Sequence, residues 1–382
     1  MPVTGGPNTL GESNLVFAYD TGDVSNSYIG APTTNICTGA DYSIFNDGAT
    51  NIRNQTFPLP FKPGYEVVKV AANTPGTYGQ SILWTATYSS SPTTATNSVY
   101  AWLESGTYVQ VGQHWHPWNY GSPKYIEKGK WVRISETYAI NEGGSYSAAG
   151  MVYSTDGVAY FCMPQYELKP YMTPFINFSG TRSATQGLLP LVGNSTIDLT
   201  IVSFNSNAQM VFDGTNDYTN LSVPPLSAGA STYTIEAVFK ANSTKTQVIW
   251  EQNSSSVTQH QRACMILISN GYGGFNGQSN DLHAVQYSAG VWYHWVIVVD
   301  KNTGTNPVKI YVNGTLSAQG DTSAGATNLN VGTYGAAMGY KLNANDEYFD
   351  GEIPVAKIYN RALTAQEVRQ NYQQYKTRFN LS

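Results

Sequence analysis

The chain has 382 residues, enough for two or three domains of ordinary size, with a net charge of −5 and only 12% charged residues. An average soluble domain carries about 25% charged residues, so Ser, Thr, Asn, 36 Gly and 28 Tyr must cover this surface instead. No run of Lys or Arg marks a nucleic-acid groove, and no stretch of about 18 apolar residues marks a membrane span.

The start, Met1-Pro-Val-Thr-Gly-Gly-Pro-Asn, has neither a basic opening nor an apolar core, so it does not read as a secretory signal. Synthesis in a cytoplasm is expected, with release by lysis or on a particle if the protein acts outside. Residues 1–40 are rich in Gly, Pro, Asn and Thr and read as an extended arm that docks on a neighbour. Their one apolar run is Leu15-Val-Phe-Ala-Tyr19, a single strand.

Residues 41–175 read as an antiparallel β-sandwich. Short β-like runs follow one another: Glu66–Ala71, Ser81–Tyr88, Ser98–Leu103, Trp131–Tyr138 and Val158–Cys162. In the fourth, Val132 and Ile134 face a core while Arg133 and Ser135 face out. Residues 176–205 read as a linker from their Gly and Pro content, with Leu188, Leu189 and Leu191 packing on the next domain because wetting them is costly.

Residues 206–382 form a second sandwich. Tyr233, Ile235, Ala237 and Phe239 share one face, and Val291–Val299 is apolar on both faces, as a central strand is. Asn313-Gly314 makes a tight hairpin turn. Thr364-Ala-Gln-Glu367 is a capping box that opens the one helix, and Val368, Tyr372, Tyr375 and Phe379 give it an apolar stripe. The fold class is all-β: two sandwiches, an N-terminal arm and a short C-terminal helix. Cys37, Cys162 and Cys264 lie far apart, form no metal-type pair, and read as buried free thiols.

These residues carry a resemblance. Phe212-Asp-Gly-Thr-Asn-Asp-Tyr218, Tyr233–Phe239, Trp292-Tyr-His-Trp-Val296, Ile310-Tyr-Val-Asn-Gly314, Phe349-Asp-Gly-Glu-Ile353 and Tyr359-Asn-Arg-Ala-Leu363 stand in the order of a laminin-G-like, concanavalin-type jelly roll. The segment from about 208 to 373 resembles such domains in tailed-bacteriophage virion proteins. Residues Gln165–Phe175 and Gly180-Thr-Arg-Ser183 resemble the seam of phage fibre-like proteins, where a carbohydrate-binding-module-like sandwich meets a laminin-G-like one. Residues 15–23 resemble the leading segment of such proteins. The resemblance implies a non-enzymatic virion structural protein, either a fibre-like appendage or a capsid decoration. The partners implied are other virion proteins through the arm and a host-surface glycan, with the protein oligomeric on the particle. A polysaccharide depolymerase and a secreted bacterial carbohydrate-binding adhesin are the alternatives.

Candidate chemistry falls in three places. His114-Trp-His-Pro-Trp-Asn-Tyr120 is an aromatic loop in which Trp115, Trp118 and Tyr120 can stack on sugar rings while His114 and His116 hydrogen-bond. The plain reading packs this loop on its own sandwich, and two histidines without a third ligand make a weak metal pair. Tyr272-Gly-Gly-Phe-Asn-Gly-Gln278 reads as a rim loop that offers Tyr272 and Phe275 to a glycan, as does the stretch 253–260. Asp213, Asp217 and Asp350 offer oxygen ligands to calcium, the one cofactor in view; local turn hydrogen bonds are the plain reading. Asp346, Glu347, Asp350 and Glu352 are the densest acidic group. A Glu-x-Asp-x-x-Glu strand of the kind concanavalin-like glucanases use is missing, so a structural turn is expected there.

Overall fold

The structure is a computed structural model that describes residues 12–37, 67–71, 78–88, 94–113, 121–139, 146–155, 157–176, 180–253, 261–277, 281–320, 329–342 and 346–382. The chain forms two compact units: residues up to Pro32 together with Ser183–Ser382, and Thr33–Arg182. The second unit is thus an insertion in the sequence of the first.

The inserted unit is built from a two-stranded pair, Thr33–Thr34 with Thr181–Arg182, and two larger antiparallel sheets. One has the order Val68–Ala71, Val158–Glu167, Thr94–Leu103, Trp131–Ala139; the other has Tyr78–Tyr88, Tyr146–Thr155, Val109–Gln113. Alternation explains the first sheet. Val99, Ala101 and Leu103 are fully buried and join Val109, Val111 and Phe161 in one core. Between them Tyr100 and Trp102 point the other way and are half-buried. Ile134 and Val132 pack on the same core, as their spacing predicts. The strands Val109–Gln113 and Tyr146–Thr155 had no counterpart in the sequence expectation.

The larger unit is a sandwich of an eight-stranded and a six-stranded antiparallel sheet. The eight-stranded sheet runs Ser203–Phe204, Met210–Asp213, Asp350–Tyr359, Thr232–Ala241, Trp292–Asp300, Val308–Val312, Thr315–Gly320. Trp292–Asp300 is central, and Asn313 and Gly314 turn the chain with φ of 48° and 76°. Those positive angles suit Asn and Gly in a two-residue hairpin.

The leading segment differs from the expected arm. Leu15–Asp20 is the eighth strand and pairs antiparallel with Val355–Tyr359, whereas Met210–Asp213 pairs with Asp350–Glu352 farther along the same strand. Phe17, Ala18 and Tyr19 are fully buried. The physical reason is the edge left open on the Asp350–Tyr359 strand, whose backbone groups need partners. The stretch expected as a linker also contributes to this unit. Leu188, Ile197 and Leu199 are buried in it, while Leu189 is 38% exposed.

The helix Ala365–Phe379 covers the outer side of the eight-stranded sheet. Both halves of its capping box form, and Val368, Tyr372, Tyr375 and Phe379 are all buried. Arg361 donates to both Glu367 oxygens at 2.7 and 3.0 Å. That pairing holds the Glu367 carboxyl down at about 2, against a smaller upward push from burial. Cys37, Cys162 and Cys264 are buried thiols outside any disulfide among the described residues. Among the described residues no helix is long and apolar enough to cross a membrane.

Candidate functional site

The six-stranded sheet runs Thr219–Asn220, Gly335–Met338, Gln247–Asn253, Ala263–Ile268, Tyr272–Asn276, Asp281–Gln286. Its last two strands show why the glycine-rich stretch is not a loop. Tyr272–Asn276 pairs on both sides, with Ile268–Cys264 and with Asp281–Gln286. A Cβ on Gly273 would meet the Trp295 ring at 2.9 Å, and one on Gly274 would meet Ile310 Cδ1 at 2.9 Å. Trp295 and Ile310 belong to the opposite sheet, and nearer still are the backbone oxygens of Ile266 and Leu282 on the neighbouring strands, so the two glycines let both strands and sheets approach. Gly274 also sits at φ 156°, inside a register shift between Gly273 and Phe275.

This placement separates the two aromatics expected to meet a ligand. Phe275 faces inward and is fully buried, so its ring is core. Tyr272 faces outward and is half-buried, paired with the exposed Gln286, which donates to its hydroxyl at 2.7 Å. Farther along the outer face come His283 and then the Asn276–Asp281 pair. The outward groups on this edge are therefore one ring, two amides, one imidazole and one carboxylate.

The row is anchored from beneath. Asn276 is 8% exposed, and its amide is oriented by its neighbours. The amide oxygen accepts from Arg262 Nη1 at 3.2 Å and the nitrogen donates to His283 Nε2. Burial pushes the His283 pKa down, opposed by the charge of Asp281. A neutral ring with a bare Nε2 suits the amide it accepts from. Arg262, 1% exposed, forms an ion pair with the fully buried Glu251 at 2.8 Å. Its Nη2 also donates to Cys264 Sγ at 3.4 Å. Glu251 accepts further from Leu342 N at 3.1 Å and Asn253 Nδ2 at 3.3 Å. Burial still pushes its carboxyl upward, with the Arg262 charge opposing. Sequence reading missed this chain of groups, whose one visible signal is a charge inside each of two otherwise β-like runs.

Asp213 and Asp217 behave as turn residues. Asp213 Oδ1 accepts from the backbone of Thr215, Asn216 and Asp217 at 2.8, 3.1 and 3.3 Å. Against a push from burial, those amides and the Lys245 charge hold its carboxyl low. Asp217 accepts from Asp213 N at 3.1 Å, and burial plus the neighbouring Asp213 charge lift it to about 6. Asp350 stands opposite Asp213 in register and accepts from Asn242 at 3.1 Å. Lys245 Nζ donates to Gly214 O in the same turn. Among the described residues no three His, Cys, Asp or Glu side chains gather for a metal ion. Of the three aspartates expected to offer oxygens to calcium, Asp213 Oδ1 and Asp217 Oδ2 serve the turn and Asp350 Oδ1 accepts from Asn242.

The other carboxylates of the acidic group have cations beside them. Glu352 pairs with Lys240 at 3.0 Å, and Glu347 with Lys341 at 2.7 Å, with Asp346 at 3.7 Å from the same lysine. His294, on the central strand, bonds Glu236 Oε1 through Nε2 at 3.0 Å, as expected of a structural histidine. His114, Trp115, His116, Trp118 and Tyr120, and residues 254–260, lie outside the described residues.

Residues 213–369 match the family model described as the concanavalin A-like lectin/glucanases superfamily. The C-terminal part of the chain thus carries a concanavalin A-like lectin domain. Among solved structures, a heptameric SAP-like pentraxin from Limulus polyphemus is 18% identical, with a TM-score of 0.34, over 42% of this chain and 79% of its own. The CBM40 of a Ruminococcus gnavus IT-sialidase, bound to α2,3-sialyllactose, is 16% identical, with a TM-score of 0.31, over 39% of this chain and 96% of its own. The ligand-binding domain of botulinum neurotoxin serotype D, in complex with N-acetylneuraminic acid, is 15% identical, with a TM-score of 0.38, over 50% of this chain and 49% of its own. A comparison with curated proteins finds no match.

Proposed function

We propose that this chain is a non-catalytic glycan-binding protein. Its lectin-like sandwich meets saccharide on the outer face of the six-stranded sheet, at the edge that carries Tyr272. The observation behind this reading is the outward row from Tyr272 and Gln286 through His283 to Asn276 and Asp281. A sugar presents an apolar C–H face and a rim of hydroxyls. The Tyr272 ring suits the first, and fixed amide, imidazole and carboxylate groups suit the second. Asn276 and His283 are held by the Arg262–Glu251 pair, so little side-chain freedom is lost on binding. The match of residues 213–369 to the lectin family model supports the same reading. Binding is favoured over depolymerase chemistry because Glu347 and Glu352 are neutralised by lysines and Asp350, at the start of a paired strand, accepts from Asn242.

A glycan array tests this with the full chain. Wild type is expected to bind a defined subset of saccharides. Tyr272→Ala is expected to bind them about tenfold more weakly, about 1.4 kcal/mol, and Tyr272→Phe to keep most of the affinity. Array silence, equal binding by Tyr272→Ala, or oligosaccharide released from a bound polysaccharide would each sink the reading.

The setting we propose is the surface of a bacteriophage particle, as a fibre-like appendage or a capsid decoration, with a secreted bacterial adhesin as the rival. What supports it is the sequence resemblance over 165–183 and 208–373. The docking role first given to the arm is not extended to Leu15–Asp20, which serves its own sheet. Purified particles are expected to contain the chain and to take up an antibody against it at one fixed location. Its recovery only from particle-free culture medium would favour the adhesin.

A further inference from the structure

We propose that a second small-ligand site, separate from the Tyr272 surface, lies beside the helix Ala365–Phe379 and takes a single neutral pyranose. A cavity of about 290 Å³ opens there, on the outer side of the eight-stranded sheet. Its lining is polar apart from Leu363. Apolar ligands prefer mainly apolar pockets, so this one selects against them.

Two buried polar side chains line it. Tyr359 is 1% exposed and donates to Glu12 Oε2 at 2.5 Å. Asn371 is 7% exposed, and its Nδ2 donates to Glu236 Oε2 at 2.7 Å and to the Tyr359 hydroxyl at 3.0 Å. Both amide hydrogens are therefore used, whereas Asn371 Oδ1 accepts from no donor among the described residues. The side chain is mostly buried, but this oxygen stays open to the cavity. A hydroxyl from a bound ligand would supply a donor.

Charge decides the ligand class. The two carboxylates of the cavity are each matched by a cation: Glu12 by Lys357 at 3.0 Å, and Glu367 by Arg361 at 2.7 Å. An ionic ligand would meet no net opposite charge and would lose its hydration. A neutral ligand with many hydroxyls instead meets donors and acceptors on every side. Gln370 and Gln374, one helical turn apart and both exposed, line the outer part of the cavity. Stacking is not the mode here, since the Arg361 guanidinium already lies over the Tyr359 ring at 5.9 Å.

The test is a side-chain amide NMR titration of the full chain with methyl α-glucopyranoside, methyl α-galactopyranoside and N-acetylglucosamine, each separately. At least one probe is expected to shift the Asn371, Gln370 and Gln374 amides together and to saturate in the millimolar range. In the Gln370→Ala/Gln374→Ala variant, whose changes lie on the exposed side of the helix, the Asn371 response is expected to need about tenfold more probe. Tyr272→Ala is expected to leave that response unchanged. No saturating shift at Asn371 with any of the three probes overturns the proposal, as does unchanged affinity in the double variant. A normal Asn371 titration beside a failed array would leave this site standing and remove the Tyr272 reading.

Discussion

Phe17→Ala is expected to destabilise the larger unit by about 3–5 kcal/mol, the usual cost of removing a buried phenylalanine ring. Phe17 is fully buried, with its ring centroid 5.9 Å from Trp250 on the six-stranded sheet and 6.1 Å from Tyr19. It therefore ties the first strand of the chain into the space between the two sheets. Total domain stability is about 5–15 kcal/mol, so the loss is a large share of it. At roughly 2–4 °C per kcal/mol for a unit of this size, the melting midpoint falls by about 6–20 °C. Differential scanning calorimetry of the whole chain reads this directly. An arm that docked elsewhere would melt unchanged in the isolated protein, and a shift below about 2 °C would restore that picture. The strand matters beyond its own burial. Glu12, just before it, accepts from Lys357 Nζ and the Tyr359 hydroxyl, and Asp20 at its end accepts from Arg378 of the helix at 2.5 Å. Loosening the strand removes the Glu12 counter-charge from a lysine that is 1% exposed.

That same strand shows what a sequence conveys and what it withholds. Leu15–Tyr19 is visible as an apolar run, but its partner lies about 340 residues away and leaves no local mark. An unpartnered run beside Gly, Pro and Asn reads as an arm. The inserted position of Thr33–Arg182 is hidden for the same reason. Local signals fared better. The Thr364–Glu367 box and the helical spacing of Val368, Tyr372, Tyr375 and Phe379 are complete within one stretch, and all of them form. At Tyr233–Phe239 the alternation marks the apolar face toward the sandwich core, although Thr234, Glu236 and Val238 on the other face are buried as well. At Tyr272–Asn276 composition misled, since glycine argues against a strand unless another sheet presses close. Trp295 and Ile310 do press close, and no property of residues 272–278 announces them. Tyr272 was legible as a candidate. The polar chain behind it was not, because Glu251 and Arg262 on outward positions look like ordinary solvated charges until the whole face is built.

Arg262→Ala is expected to cost about 3–5 kcal/mol, because it leaves the buried Glu251 carboxylate without its cation. The amides of Leu342 and Asn253 remain as donors but carry no charge. The Glu251 carboxyl, already pushed up by burial, should rise further and take up a proton in the folded variant. The pH sign follows from linkage. A folded-state pKa above the unfolded one contributes stability at low pH, and that contribution is lost as pH rises through the folded value. The variant should therefore lie nearer to wild type at pH 5 than at pH 8. Denaturant unfolding at both pH values measures this, and an equal deficit at both would refute the charge explanation. Replacing the pair together, as Glu251→Leu with Arg262→Met, should recover most of the stability, since a buried ion pair often contributes little over apolar packing. It should not recover glycan binding. Without Arg262 Nη1 the Asn276 amide loses the contact that orients it, and His283 loses its fixed donor. A stable double variant with wild-type affinity would place the binding surface elsewhere. A stable one about tenfold weaker would show that the pair is kept to hold the outward row in place, not to hold the sandwich together.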